Sequence, residues 1–170
     1  MASTAAEPQP AQLPLPGGTQ GATVRLHPLT CARMQCAPGF LDRPEGRLGS
    51  LKALVSRTPE DQLVEIPVVA FLVRHPSAGE VLVDTGFHPS VAVDSKGALG
   101  RWGGLLFKDI RMETEDSVPA QLRALGVEPS GVRTVVMTHL HFDHAGAVSE
   151  FPAATFVVDA REWAAAADGS

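Results

Sequence analysis

Cysteine is scarce in this sequence, and tyrosine is absent. Two cysteines, Cys31 and Cys36, are too few for a framework of disulfide bonds in a chain of 170 residues. They form a C-x4-C pair, but a zinc site built on cysteine would need a second pair. We therefore predict two reduced thiols in or near the core, with no chemistry of their own.

Long apolar runs and basic clusters are also absent. No stretch approaches the roughly 20 apolar residues that a membrane-spanning helix requires, so no membrane partner is expected. The 14 basic residues are outnumbered by 19 acidic ones, giving a net charge of -5. This balance disfavours a nucleic-acid partner, because phosphate contacts need a concentrated lysine and arginine surface.

The first 22 residues differ in composition from the rest of the chain. They are rich in proline, glycine and glutamine, and they lack the basic start and apolar stretch of a secretory signal. We predict a disordered tail over residues 1–22 and a cytoplasmic location. The remainder, residues 23–170, is hydrophobic enough for one domain or part of one.

Apolar patterning predicts an order of elements for this domain. We expect a half-buried strand at the sheet edge, a long irregular connection, a β-hairpin, a loop with short helical pieces, a helix, two further strands and a last helix. A layered α/β or α+β sheet sandwich is indicated. The predicted ranges, in the same order, are 23–29, 37–62, 63–75 with 80–84, 85–113, 117–125, 132–138, 155–159 and 160–167.

One predicted strand carries a nearly continuous apolar run, from Val68 to Val73. Such a run is typical of a central strand that is covered on both faces. Pro67 should lie near the start of this strand, since it cannot donate a hydrogen bond to an interior ladder.

The segment T-H-L-H-F-D-H-A-G at 138–146 follows a predicted buried strand and holds three of the six histidines. Imidazole nitrogens and carboxylate oxygens are good ligands for zinc and similar ions, so His139, His141, Asp143 and His144 are candidate metal ligands. Their spacing suits two neighbouring ions, as in hydrolases with two metals. Taken singly, each residue has an ordinary alternative: the histidines as solvated side chains, and Asp143 as the cap of a helix beginning at His144.

This segment resembles the metal-binding loop of the metallo-β-lactamase superfamily, whose fold is an αβ/βα sandwich. V-L-V-D-T-G at 81–86 is similar to a second family feature, in which Asp84 would support the metal loop. The flanking stretches at 66–79, 83–89 and 151–163 are most like those of the N-acyl-homoserine lactonases, which degrade quorum-sensing signals. The resemblance covers roughly residues 23–167.

The resemblance implies a zinc-dependent hydrolase with two Zn2+ ions and a small-molecule lactone as substrate. His139 and His141 would bind the first metal, and Asp143 and His144 the second. A metal-bridging hydroxide would attack the lactone carbonyl, and Asp143 would be catalytic, passing a proton to the leaving alkoxide. A thioesterase of the glyoxalase II type and a β-lactamase are alternatives that the metal loop alone does not separate.

The superfamily completes its site with a further histidine, a bridging aspartate and a last histidine, and all three would lie beyond Ser170. Residues 23–170 are therefore expected to be the amino-terminal half of the domain, with one face of the sheet uncovered, and the oligomeric state stays open. A catalytically incomplete metal-binding fragment is the alternative reading. His88 is the one local residue considered as a substitute ligand, and the family does not use its position.

Overall fold

The computed structural model describes residues 23–41 and 58–167. The predicted tail at 1–22 and most of the predicted irregular connection at 37–62 lie outside these residues. The strands are β1 Arg25–Cys36, β2 Val64–His75, β3 Gly79–Val83, β4 Phe107–Arg111, β5 Thr134–Val136 and β6 Thr155–Val157. The helices are α1 Pro38–Leu41, α2 Ser90–Val93, α3 Ser95–Leu106, α4 Val118–Ala124, α5 Phe142–Ala145 and α6 Ala160–Ala167.

All six strands form one mixed sheet in the order β4-β1-β2-β3-β5-β6. Neighbours are antiparallel from β4 to β3, and the pairs β3–β5 and β5–β6 are parallel. The prediction that the first strand lies at the sheet edge is wrong, because β4 pairs with its outer side. Strand β4 was missed because residues 85–113 carry glycines and no strand period, and its pairing partner is distant in sequence.

The hairpin β2–β3 matches the predicted one to within a residue at most boundaries. Its turn ends at Gly79, whose φ of +72° belongs to the left-handed region that glycine adopts at little cost. The imidazole Nδ1 of His75 accepts hydrogen bonds from the backbone N–H groups of Ser77 and Ala78, at 3.3 and 3.0 Å. The turn is therefore closed by a side chain as well as by the strand ladder.

Two adjacent rows of side chains across the sheet show how its faces differ. Leu72, Leu82 and Val135 are paired across three strands and are all fully buried. The next row lies on the opposite face: its inner members are only half-buried, and its outermost is 49% exposed. That row consists of Phe71, Val83, Val136 and Val157.

The prediction that β2 is covered on both faces is therefore wrong for the described residues. Buried and half-buried side chains alternate from Val68 to Val73. One face packs under α4, whose Val118 and Leu122 are fully buried, while no second layer covers the other face in the part of the chain that the structure describes. An apolar run indicates that both faces of a strand are apolar. It does not show that a second layer of structure packs on both of them.

Helix α4 begins at Val118, one residue after the predicted start, with Pro119 in its first turn. The hydroxyl of Ser117 donates to the carbonyl of Thr114 rather than capping the helix. The capping box lies one turn earlier, in the short 3-10 segment Thr114–Asp116, where Glu113 and Asp116 satisfy each other's backbone N–H groups.

Both cysteines are buried free thiols, as predicted. Burial raises the pKa of Cys31 to about 12, so its thiol is protonated at neutral pH. Within residues 23–41 and 58–167, no helix has the length and apolar character that a membrane crossing requires.

Candidate metal centre

The parallel pair β3–β5 brings two predicted segments to the same edge of the sheet. The backbone N–H of Asp84, just after β3, donates to the carbonyl of Val136 at the end of β5 with an N···O distance of 2.9 Å. V-D-T-G and T-H-L-H-F-D-H-A-G therefore leave the sheet side by side, although about 55 residues separate them in the chain. Carboxyl ends of parallel strands are where α/β sheets usually place their sites.

The candidate ligands lie in an extended segment followed by one helical turn. His139 and His141 precede α5, which begins at Phe142, so that Asp143 and His144 lie inside the helix. The alternative in which Asp143 caps a helix starting at His144 is wrong, because the helix begins before Asp143. Phe142 packs against the buried ring of Phe87 with 5.6 Å between centroids, which holds the turn against the core.

Three of the four predicted ligands converge. His139, Asp143 and His144 each offer a ligand atom, and these atoms all lie within 4.8 Å of one another. The rings of His139 and His144 are 4.0 Å apart, and His144 Nε2 lies 3.3 Å from Asp143 Oδ2. His141 is not in this group, and its exposed ring lies 4.7 Å from that of His139. The structure thus gathers three of the four predicted ligands into one cluster, and the division of the four between two ions stays a prediction.

A single buried carboxylate, that of Asp84, orients two of these side chains. Asp84 Oδ2 lies 2.8 Å from His144 Nδ1 and accepts a hydrogen bond of 2.7 Å from the hydroxyl of Thr138. The Thr138 hydroxyl in turn lies 3.1 Å from His139 Nδ1. When both Nδ1 atoms carry the protons of these contacts, both Nε2 atoms are left free to accept a metal.

The backbone around Asp84 is held in an unusual conformation. Asp84 has a φ of +60°, in the left-handed region, where aspartate is tolerated better than most side chains. Its side chain is fixed by Thr138, whose backbone N–H donates to Asp84 Oδ1 at 2.8 Å. Next along the chain, the N–H and hydroxyl of Thr85 both donate to the carbonyl of His144, at 2.7 and 2.9 Å. The V-D-T-G turn and the ligand helix are therefore locked together.

The charges of the cluster are strongly coupled. Burial lowers the pKa of His144, but hydrogen bonds to Asp143 and Asp84 outweigh it and raise this pKa to about 9. Burial raises the pKa of each of these carboxyls, but contacts with His144, and at Asp84 also two hydrogen bonds from Thr138, outweigh it, so both pKa values lie below the ordinary range. The pKa of His139 is lowered by burial and by its histidine neighbours. Without a metal, His144 is the cation of the cluster.

Asp143 provides the test of whether a metal fits. The residue is 6% exposed, and its Oδ1 is buried with no hydrogen-bond donor among the residues that the structure describes. An unpaired buried carboxylate oxygen is costly. A divalent cation would supply the missing partner, and the nitrogen and oxygen donors present are those that zinc accepts.

His88 lies near the ligand helix but outside the cluster. Its Nδ1 lies 2.8 Å from the Ser90 hydroxyl, and its Nε2 lies 3.5 Å from Glu150. The substitute-ligand role considered for His88 therefore receives no support from its contacts.

Glu162 was not singled out from the sequence. Its carboxylate Oε2 accepts a hydrogen bond from the backbone N–H of Leu140, between the first two histidines, at 3.4 Å. Nothing in the local pattern of α6 indicates this contact. The contact forms because β6 pairs with β5 and so brings the following helix, α6, close to the segment after β5.

Together, the mixed sheet and the cluster at its strand ends define an α/β protein with a candidate metal centre. The sequence pattern of the metallo-beta-lactamase superfamily matches residues 63–169. The chain belongs to the metallo-beta-lactamase superfamily, as its resemblance to that family implied.

Relatives with established names are similar over part of the chain. It is 41% identical over 121 residues to the N-acyl homoserine lactonase AttM of Azorhizobium caulinodans, a match covering 68% of this chain and 44% of that protein. It is 38% identical over 111 residues to the N-acyl homoserine lactonase AiiB of Agrobacterium fabrum, covering 64% and 38%.

A solved structure confirms the fold assignment. It is an N-acyl homoserine lactone hydrolase with the product N-hexanoyl-L-homoserine bound at its catalytic metal centre, with a TM-score of 0.62 and 25% identity. The match covers 84% of this chain and 51% of that chain. This chain thus spans about half the length of the proteins that it matches, and it has the metallo-β-lactamase fold over that half.

Proposed function

We propose that this chain is part of a zinc-dependent hydrolase that opens the lactone ring of N-acyl-homoserine lactones. The observation that carries the proposal is the convergence of His139, Asp143 and His144 within 4.8 Å around an unpaired, buried carboxylate oxygen. The lactonase names of the relatives support the substrate class. The site is supported by the similar hydrolase whose product, N-hexanoyl-L-homoserine, is bound at its catalytic metal centre.

The proposed ligands are His139, His141, Asp143 and His144, and the complete enzyme would hold two Zn2+ ions. Bound metal would supply a Lewis acid for the carbonyl oxygen and lower the pKa of a bound water. His139 and His144 present Nε2 because Thr138 and Asp84 engage their Nδ1 atoms. Asp143 would bind metal, and its carboxylate would take the proton released by the attacking water and pass it to the alkoxide that leaves when the ring opens.

His141 requires a rearrangement to join the other ligands. Its ring stands 4.7 Å from that of His139, edge to face, and it is exposed. A change between staggered rotamers would turn the imidazole inward toward a bound metal. The proposal therefore expects the His141 ring to change orientation when zinc is added.

Metal binding is the first test. Zinc added to the purified 170-residue chain at neutral pH should remain bound after gel filtration, as measured by elemental analysis. Asp143→Asn and His144→Gln should lose most of it, whereas His75→Gln, which removes an imidazole from the distant hairpin turn, should not. Equal zinc content in all four proteins would contradict the proposed ligand set.

Substrate class is the second test, made on the gene product with whatever coding sequence follows Ser170. Acid release should be seen with an N-acyl-homoserine lactone and be slower with a glutathione thioester or a β-lactam. Activity only on the last two would favour the glyoxalase II or β-lactamase alternative. Stoichiometric zinc without turnover of any of the three would favour the metal-binding fragment. The cytoplasmic location stays a prediction.

A further inference from the structure

Helix α6 lies on the surface, yet one of its residues is turned inward. Every residue of Ala160–Ala167 is exposed except Glu162, which is half-buried. A glutamate is normally the most solvated residue of an exposed alanine-rich helix. Its partial burial indicates that a specific contact holds it.

That contact is with the backbone of the candidate metal loop. The N–H of Leu140 donates to Glu162 Oε2 at 3.4 Å, and the Leu140 side chain packs against the core. Leu140 separates His139 from His141, so a contact with its peptide fixes the backbone from which the two imidazoles extend. These rings stand 4.7 Å apart at 78°.

The carboxylate of Glu162 is well placed to accept this hydrogen bond from the Leu140 backbone. Glu162 lies in the first turn of α6, where the partial positive charge of the helix end favours an acidic side chain. A hydrogen bond to a charged acceptor is also stronger than one to a neutral acceptor. The helix thereby presents a fixed acceptor to a segment that has no strand or helix ladder of its own.

We propose that Glu162 is a positioning residue for the metal centre, acting through the Leu140 backbone to hold the extended segment that carries His139 and His141. The proposal deepens the proposed function and rests on it. Glu162 is not assigned as a ligand, since the ligand cluster within the described residues consists of His139, Asp143 and His144.

Three variants test this role. Glu162→Ala removes the acceptor without weakening the helix, because alanine has the highest helix propensity. Glu162→Gln keeps an acceptor oxygen and removes the charge. Arg161→Ala is the control, since Arg161 is exposed on the same helix and pairs with Asp159.

The first readout is zinc affinity, measured by competition with a chromophoric chelator. Loss of a residue that supports metal ligands costs about 10- to 100-fold in affinity, so Glu162→Ala should bind zinc about 10-fold more weakly or worse. Glu162→Gln should recover most of this loss, and Arg161→Ala should match the wild type. Equal affinity in Glu162→Ala, or an equal loss in Glu162→Gln, would overturn the proposal.

The second readout needs no metal. Hydrogen exchange of the Leu140 amide, followed by NMR in the metal-free chain, should be several-fold faster in Glu162→Ala than in the wild type or Arg161→Ala. Unchanged exchange would overturn the proposal. If the wild-type chain bound no zinc, the proposed function would fail by itself, while Leu140 exchange would still decide whether Glu162 holds this segment.

Discussion

At the scale of single residues, Asp84 is the side chain that connects the parts of the candidate site. One buried carboxylate contacts the imidazole of His144 and both the hydroxyl and backbone N–H of Thr138. Through Thr138 it also reaches His139. Asp84 therefore engages one ring nitrogen of His144 directly and one of His139 through Thr138, without itself belonging to the three-residue cluster.

The stability of the metal-free chain should depend on the protonation of His144. Its folded pKa is raised to about 9 from an ordinary value of 6.5. Its stabilising contribution is therefore fully present below pH 6.5 and is lost as the pH rises to about 9. Urea unfolding in the presence of a chelator should show a falling free energy of unfolding across this window.

Asp84→Asn is the matched variant for this prediction. It removes one of the two carboxylates that raise the pKa of His144, so the decline should end at a lower pH. His144→Gln, which has no titrating ring at this position, should show a much smaller decline over the same range, confined to the approach to pH 9 where the buried thiols of Cys31 and Cys36 contribute. A wild-type profile that is flat from pH 6.5 to 9 would contradict the coupling.

At the scale of elements, the turn after β3 is shaped by close packing. Gly86 has a φ of +68°, and an added Cβ would lie 3.1 Å from the Cβ and Sγ of Cys31 and 3.2 Å from Val118 Cγ2. The turn can follow this path only because the residue after D-T has no side chain. Its close approach to β1 and α4 keeps Asp84 at the end of the sheet.

Gly86→Ala should therefore destabilise the fold more than the same change at Gly79. Both glycines have positive φ, which costs a non-glycine residue about 1–2 kcal/mol. Gly79 faces open space, whereas crowding at Gly86 should add about 1–3 kcal/mol. The free energies of unfolding in urea measure the difference, and equal losses would show that the contacts with Cys31 and Val118 relax freely.

At the scale of the whole molecule, the sheet has one covered and one partly exposed apolar face. Val157, at 49% exposure, ends the row that includes Phe71 and Val83, and Leu26, which pairs with Val73 on the same face, is 52% exposed. Continuous apolar surface of this kind promotes association. That residues 23–170 are half of a domain with one face of its sheet uncovered stays a prediction.

The 170-residue chain should therefore self-associate or bind the dye ANS. Sedimentation velocity at increasing concentration is the direct measurement. Val157→Thr on the exposed face should reduce association with little loss of stability, whereas Leu72→Thr on the covered face should lower the free energy of unfolding by several kcal/mol, roughly the cost of a large core substitution. A strictly monomeric wild-type chain without ANS binding would contradict the prediction.

Much of the fold could be read from local patterns. The hairpin, α4, β5, β6 and α6 were predicted close to their observed bounds, because each shows its own periodicity and stop signals within a few residues. β4 could not be predicted, and neither could the inner position of β1. Strand pairing between distant segments depends on which edges meet in three dimensions.

The sequence alone determined which residues are candidate ligands, since four donors crowded into six positions after an apolar strand is a local property of the chain. Only the tertiary structure decided that His139, Asp143 and His144 converge while His141 stands aside, and that Asp84 and Glu162 reach the loop from about 55 and 20 residues away. The physical reason is that the ability of a residue to bind metal depends on its own side chain. Its geometry is set by hydrogen bonds from segments that the parallel strands bring alongside it.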